Sequence, residues 1–395
     1  MEPVEQSSAS VWRPVDAETG KIGDVEGLQQ LARDFPDSGS VRLRLLQPLL
    51  AAGETDRLLA TLGWLKERGY VFSSTAQEQI PKLVGEEFAD AAKSLLISQG
   101  ETIAASEVIA TVAAEAGLVE SVLMDLDSGR MAVTSVSGRS VWGGRTQGSW
   151  QEMKPDRAAN LSGIVFDPVR NTIWAASGNI DGGPEVDHGF AGLVEIRPSG
   201  DGVRIPAPAG ANLSDLHRAA DGTIFASDPL GGGIYRLRPG EAEIEMLVAP
   251  GNFRSPQGLA TSADGSLLYV SDYRYGLAIV PLSGGSPKRL ATDLPVLLDG
   301  IDGLWRNGNE LIAVQNGTSP MKIVGLTLSA DGMRVVAHRL LEQANPEWTE
   351  PLSGYLGRGA LYYVGNGQWD RWVAGQPAQD KPFGPTQIRR LPLDP

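Results

Sequence analysis

Cysteine is absent from the chain. That removes a thiol nucleophile, a disulfide and a thiolate metal site together. The three histidines are scattered. His188 falls in the long loop stretch IDGGPEVDHGF, where it could shuttle a proton or simply stand in solvent. His217 lies two residues past Asp215 on an expected strand and shares its face; a structural histidine with satisfied nitrogens is the plainer reading. There is no G-x-S-x-G elbow, no H-E-x-x-H pair and no phosphate-binding P-loop. The glycine-containing stretch GGRTQG lacks the strand–helix setting a nucleotide fingerprint needs.

The balance of 34 Lys+Arg against 48 Asp+Glu gives a net charge of −14. Such a surface repels phosphate backbones and anionic lipid, so no nucleic-acid partner is expected. No apolar run approaches the ~20 residues of a membrane-spanning helix. The first residues carry acids and no apolar core of a secretory signal. Localisation stays open on these grounds: cytoplasmic as the sequence stands, periplasmic or secreted if a signal has been removed.

Two periodicities divide the chain. From Gly23 to Gly117 the pattern is helical, after an extended or disordered segment over residues 1–22. Leu28, Leu31, Ala32 and Phe35 share one helix face. Gly53 and Gly69 stand where helix-ending glycines belong. Ser74 and Gln77 suggest a capping box, and Pro48 and Pro81 should kink or end their helices. Residues 1–116 hold 18 acidic and 10 basic side chains, a composition shift that supports a separate domain.

From 118 to 395 the period is two. Six segments repeat one plan of inner strand, tight turn and second strand. Their turns are Ser128-Gly129, Arg170-Asn171, Asp221-Gly222, Asp264-Gly265, Asn307-Gly308 and Arg358-Gly359. A spacing of roughly 42 to 51 residues is that of four-stranded propeller blades. The expected fold is mainly β, a six-bladed β-propeller with an N-terminal α-helical domain. The tail from Thr386 to Leu393 alternates like a strand and would complete the last blade. Trp142, Trp174, Trp305, Trp369 and Trp372 recur at blade-like positions and are expected to pack between blades. Sequons at Asn160, Asn212 and Asn316 matter only in a glycosylating pathway.

Four stretches, VESVLMDLDSGRMAVTSV, SDLHRAADGTIFASD, SPQGLATSADGSLLYVSD and IDGLWRNGNELIAVQNG, resemble the motifs of the regucalcin/gluconolactonase superfamily, related to the paraoxonases. The helical region resembles tetratricopeptide-type helix pairs. In that superfamily the residue opening each of these inner strands points into the central channel, and together they hold one divalent cation, usually calcium. The resemblance implies Glu120, Ser214, Gln257 and Asp302 as metal ligands, with Asp302 also the catalytic general base. Ser214 and Gln257 stand where the family has asparagine. Oxygen donors of all four types suit calcium. Asp215 and His188 would then lie near the channel mouth. Asp215 and Asp272 could equally fix turns through backbone N–H groups, and Glu120 and Asp302 could be solvated channel lining.

Two functions follow as expectations. One is a metal-dependent hydrolase acting on a small lactone or ester substrate, with calcium in the channel. The other is a non-catalytic ligand-binding or scaffold propeller whose helical region binds a protein partner.

Overall fold

The hairpin turns read from the sequence adopt the left-handed backbone that Gly and Asn favour. Gly129, Asn171, Gly222, Gly265, Gly308, Arg358 and Gly359 have φ between +49° and +92°. The structure, a computed structural model, describes residues 11–97, 100–146, 148–180, 189–197 and 202–394. Around a central channel stand six antiparallel sheets, each with its innermost strand toward the axis. These inner strands are Val119–Asp125, Asn160–Asp167, Leu216–Arg218, Pro256–Thr261, Leu304–Asn307 and Gly354–Gly357. They open blades 1 to 6 in chain order. Blade 5 gains a fifth strand, Ala291–Thr292, which pairs in parallel with Arg334–Gln343.

Blade 6 closes the ring. Its third strand is Thr386–Pro392, the alternating tail, and its outermost strand is Glu107–Val112 from before blade 1. Helices therefore end at Leu96 rather than near Gly117, and the stretch 107–112 belongs to the propeller. The alternation in EVIATV is too short to announce a strand whose partner, Thr386–Pro392, lies at the other end of the chain. Pairing the two ends closes the ring, because the outer half of blade 6 is built from strands at opposite ends of the chain.

Each pair of neighbouring blades encloses its own apolar cluster. Leu123, Val141, Leu161 and Val194 fill the seam between blades 1 and 2. Trp174, Leu193, Leu213 and Tyr235 fill that between blades 2 and 3. Trp174 is almost wholly buried, while Trp142 and Trp305 flank the seams between blades 6 and 1 and between blades 5 and 6. These three match the expected inter-blade role.

The seam between blades 3 and 4 is continuous with the helical region. Among the described residues this region has six helices: α1 (Ala17–Lys21), α2 (Val25–Asp34), α3 (Gly39–Ala51), α4 (Thr55–Glu67), α5 (Ser74–Leu83) and α6 (Glu86–Leu96). Leu28, Leu31, Ala32 and Phe35 face inward as their spacing requires, and Gly53 and Gly69 take positive φ behind α3 and α4. Ser73, not Ser74, caps α5, its hydroxyl accepting from Ala76 N. Pro48 and Pro81 lie within the last turn of α3 and α5, which stop two or three residues later.

Residues 11–22 are docked rather than free. Trp12 is buried between Phe35 and Phe253, and its indole donates to the Asn252 carbonyl at 2.9 Å. Asp16 caps α1. Phe35 continues the stack onto Tyr275 of blade 4, with ring centroids 4.8 Å apart. Beside it Arg289 of blade 4 donates to the buried Asp37 carboxylate at 2.5 Å.

One shared core makes helices and propeller a single folding unit. Phe35→Ala should cost about 3–5 kcal/mol through the cavity it leaves, read as a lower urea midpoint. Helical and β signals should still unfold together, and two well-separated transitions would contradict the shared core.

Candidate active site

The channel wall is built by one device used six times. Where each inner strand begins, two residues oppose one on the neighbouring strand, a β-bulge that turns the first of the pair toward the axis. In blades 1, 2 and 4 the bulge carries Glu120-Ser121, Ser162-Gly163 and Gln257-Gly258. In blades 3, 5 and 6 the same bonding is made by Ser214-Asp215 around Ser227, Asp302-Gly303 around Val314 and Leu352-Ser353 around Val364. Glycine at the second position is a packing requirement in blades 2 and 4. A Cβ on Gly163 would stand 2.4 Å from the Ser214 carbonyl oxygen, and one on Gly258 2.5 Å from Leu304 N. The space is taken by bonds between neighbouring bulges: Gly163 N to Ser214 O at 2.9 Å and Gly258 N to Asp302 O at 2.8 Å.

This ring brings together the four residues singled out from the sequence. Glu120, Ser214, Gln257 and Asp302 all line one cavity of about 390 Å³. Other side chains complete it. Tyr273, Asn316, Glu350 and Trp369 stand around the carboxylates, Arg254 and Arg274 also line it, and Ile180, Pro229, Leu230 and Leu352 form apolar wall. Trp369 therefore differs from the other tryptophans. It sits in a short 3-10 turn, Trp369–Arg371, and its Nε1 donates to Glu120 Oε2 at 2.7 Å. Asp302 is held in the same manner. Asn316 Nδ2 donates to Asp302 Oδ2 at 3.2 Å and to the Pro351 carbonyl at 3.1 Å, while its own carbonyl accepts from Tyr273 Oη at 2.9 Å.

Three carboxylates, Glu120, Asp302 and Glu350, line the cavity without an ion pair among the described residues, and Asp215, outside the lining, is near enough to repel Glu120 and Asp302. Burial pushes the Glu120 carboxyl well above the usual range, and Asp302, Asp215 and Glu350 add repulsion. Asp302 is pushed up to about 8 by burial and by Asp215. Asp215 reaches about 7 through burial alone, and Glu350 about 7 through burial, Asp302 and Asp370. Asp215 does not fix a turn: its buried Oδ2 has no hydrogen-bond partner. Asp272 does, and takes the role left open for it. Its fully buried carboxylate accepts from Arg254 and Ser255 N–H on one oxygen and from Arg274 and Tyr275 N–H on the other.

A divalent cation fits this donor set. Buried carboxylates that raise the cost of ionising one another are what a cation would relieve. Gln257 donates its amide N–H to Ser255 Oγ at 3.2 Å, which leaves its carbonyl oxygen for another partner. Among the described residues no three His, Cys, Asp or Glu side chains are grouped to hold a metal by themselves. Neutral oxygens from Gln257 and Ser214 would have to share in the coordination, as calcium allows.

His217 does not line the cavity. His217 bridges blades 3 and 4: its Nε2 accepts from Thr261 N–H at 3.2 Å and meets Thr261 Oγ1 at 2.9 Å. Burial lowers it to about 4, so it is a neutral structural histidine. His188 lies outside the described residues.

The helical region supports the same cavity from behind. Asp299, three residues before Asp302, accepts from Gly39 N at 2.9 Å and Ser40 N at 2.7 Å, capping α3 together with Ser38. Ser38 Oγ donates to the Arg274 carbonyl at 2.7 Å. The carboxylate satisfies N–H groups that a helix start leaves free, and it ties the loops carrying Arg274 and Asp302 to the α2–α3 corner. No sequence signal marked this pairing.

No family model and no curated protein matches the chain by sequence. Solved structures do match. A gluconolactonase from Xanthomonas campestris is 16% identical with a TM-score of 0.50, over 73% of this chain and 89% of that one. A luciferin-regenerating enzyme is 15% identical with a TM-score of 0.50, over 74% of this chain and 95% of that one. No helix among the described residues is long and apolar enough to cross a membrane. At this identity the likeness is one of architecture: the chain folds as the six-bladed β-propeller these enzymes also use.

Proposed function

We propose that the protein is a divalent-cation-dependent hydrolase of small lactones, with calcium as the cation. The observation that carries the reading is the convergence of Glu120 and Asp302, with Gln257 and Ser214, on one cavity whose carboxylates form no ion pair among the described residues. The gluconolactonase with the same architecture supports the choice of substrate class.

Glu120, Asp302, Gln257 and Ser214 would hold the cation. When bound, it would supply polarisation of the lactone carbonyl and stabilisation of the developing oxyanion. Asp302 takes a proton from water as the water oxygen bonds to the carbonyl carbon. It returns that proton to the ring oxygen as the ring C–O bond breaks, so lactone and water give one hydroxy acid. Asn316 fixes the Asp302 carboxylate, and Tyr273 and the Pro351 carbonyl fix Asn316. Trp369 fixes Glu120 through its indole N–H.

The binding-module alternative draws on Ser214, a weaker ligand than a carboxylate or amide. The two readings separate on a panel of lactones assayed with calcium, manganese and zinc in turn. Wild-type protein should hydrolyse at least one above background, and Asp302→Asn should slow it by ~10²- to 10⁴-fold with the fold intact. Activity equal to wild type in that variant would move the chemistry elsewhere; no turnover at all would favour the binding module.

The carboxylates also set a pH signature. Their folded pKa values lie above the ~4 of an unfolded carboxyl, so the folded chain keeps protons the unfolded chain has lost. Stability in chelator should therefore fall as pH rises through about 7, for Asp215 and Glu350, to about 8, for Asp302. Calcium binds the ionised form, so the Tm rise it produces should grow over the same window, and Glu120→Gln should remove most of it. A Tm indifferent to calcium from pH 6 to 8.5 (roughly the window these shifts define) would exclude the cation.

A further inference from the structure

We infer that the channel takes a substrate bearing a second, anionic group, a carboxylate or phosphate, which Arg254 and Arg274 receive. This deepens the lactone-hydrolase reading and rests on it for the reacting group only.

Arg254 and Arg274 line the same cavity as Glu120 and Asp302. Several arginines of this acidic chain have carboxylate partners: Arg236 and Arg238 share Glu245, and Arg339 takes Glu310 through two bonds. Neither Arg254 nor Arg274 has an ion pair among the described residues. The guanidinium of Arg274 lies 5.7 Å from the Tyr273 ring centroid, and Arg254 packs along Gly20 of α1.

Their backbones are nonetheless fixed with care. The Asp272 carboxylate clamps both: Oδ2 accepts from Arg254 N at 2.6 Å and Oδ1 from Arg274 N at 3.0 Å. One fully buried side chain thus holds the two arginine-bearing loops side by side. Ser38 adds a bond to the Arg274 carbonyl from the helical region. Burying a carboxylate is costly unless its bonds serve the structure. Here they fix the backbones of two residues that line the cavity and whose guanidinium groups have no ion pair among the described residues.

The arrangement separates charge within one cavity. Glu120, Asp302 and Glu350 make one part negative, suited to a cation and a lactone carbonyl. Arg254 and Arg274 make another part positive, suited to planar or tetrahedral oxyanions that guanidinium groups bind through paired hydrogen bonds. A neutral lactone would leave those donors to water. A lactone with a second acidic group would satisfy both ends, and orientation would follow from the charge pattern.

The test measures binding, so it does not depend on turnover. The full-length protein, with calcium, is titrated calorimetrically with glucarate, 6-phosphogluconate and sorbitol, at low and moderate salt. Glucarate or 6-phosphogluconate should bind and sorbitol should not; whichever anion binds more tightly assigns carboxylate or phosphate. Arg254→Gln and Arg274→Gln should each weaken the anion about tenfold, the worth of one charge-assisted hydrogen bond. Arg274→Lys should retain part of the affinity, and added salt should reduce it. Wild-type Tm in the variants confirms that the loops remain folded. Equal affinity for sorbitol and the anions, or anion affinity unchanged in both glutamine variants, overturns the inference. If no lactone is hydrolysed yet anions bind through the arginines, the hydrolase reading fails and the anion site stands.

Discussion

Buried like charge is the constraint around which this propeller is organised. Glu120, Asp302 and Glu350 come from blades 1, 5 and 6 and line one cavity, where Asp302, Asp215 and Glu350 raise the cost of ionising Glu120, Asp215 that of Asp302, and Asp302 that of Glu350. Nothing about their mutual interaction favours that meeting. The ring of bulged strand starts forces it, and the blade seams stabilise the ring. The structure therefore spends packing energy to hold a site that is electrostatically unsatisfied in the absence of a cation, the pattern expected where binding rather than stability is the purpose.

The neutral groups around the carboxylates act as positioners. Trp369 and Asn316 each give one hydrogen bond to one carboxylate oxygen. A single bond orients a carboxylate while leaving its second oxygen for a ligand. Asp272 and Asp299 show the contrasting use: both bind several backbone or hydroxyl donors and serve as fixed corners. Through Asp299 and Ser38 the helical region reaches the loops that bear Asp302 and Arg274, so it forms part of the wall behind the cavity as well as part of the apolar core.

Much of this was legible in the sequence because its signals are local. Turn chemistry at six hairpins gave the blade count, since Asp-Gly or Arg-Asn needs only its neighbours to form a turn. Glu120, Ser214, Gln257 and Asp302 were legible as one set only through the resemblance of their four motifs to a known propeller superfamily. The rest depends on contacts distant in sequence. The strand Glu107–Val112 is defined by a partner at the other end of the chain. Trp369, Asn316, Glu350 and Tyr273 sit on loops between strands, where periodicity says nothing about direction. Asn316 stood out only as a sequon, and Trp369 only as a packing residue. Asp215 and Asp272 looked alike in sequence, yet one is unpartnered and the other is fully bonded.

The most direct test of the account is where a cation sits. Crystals of the full chain soaked in manganese and in a lanthanide, which replace calcium at oxygen sites, should give an anomalous peak within bonding distance of both Glu120 and Asp302, on the propeller axis. The peak should vanish in Glu120→Gln crystals collected in the same way. A channel free of anomalous density in wild-type crystals, with the metal bound only at surface carboxylates, would contradict the claim that these buried charges are held together for a cation.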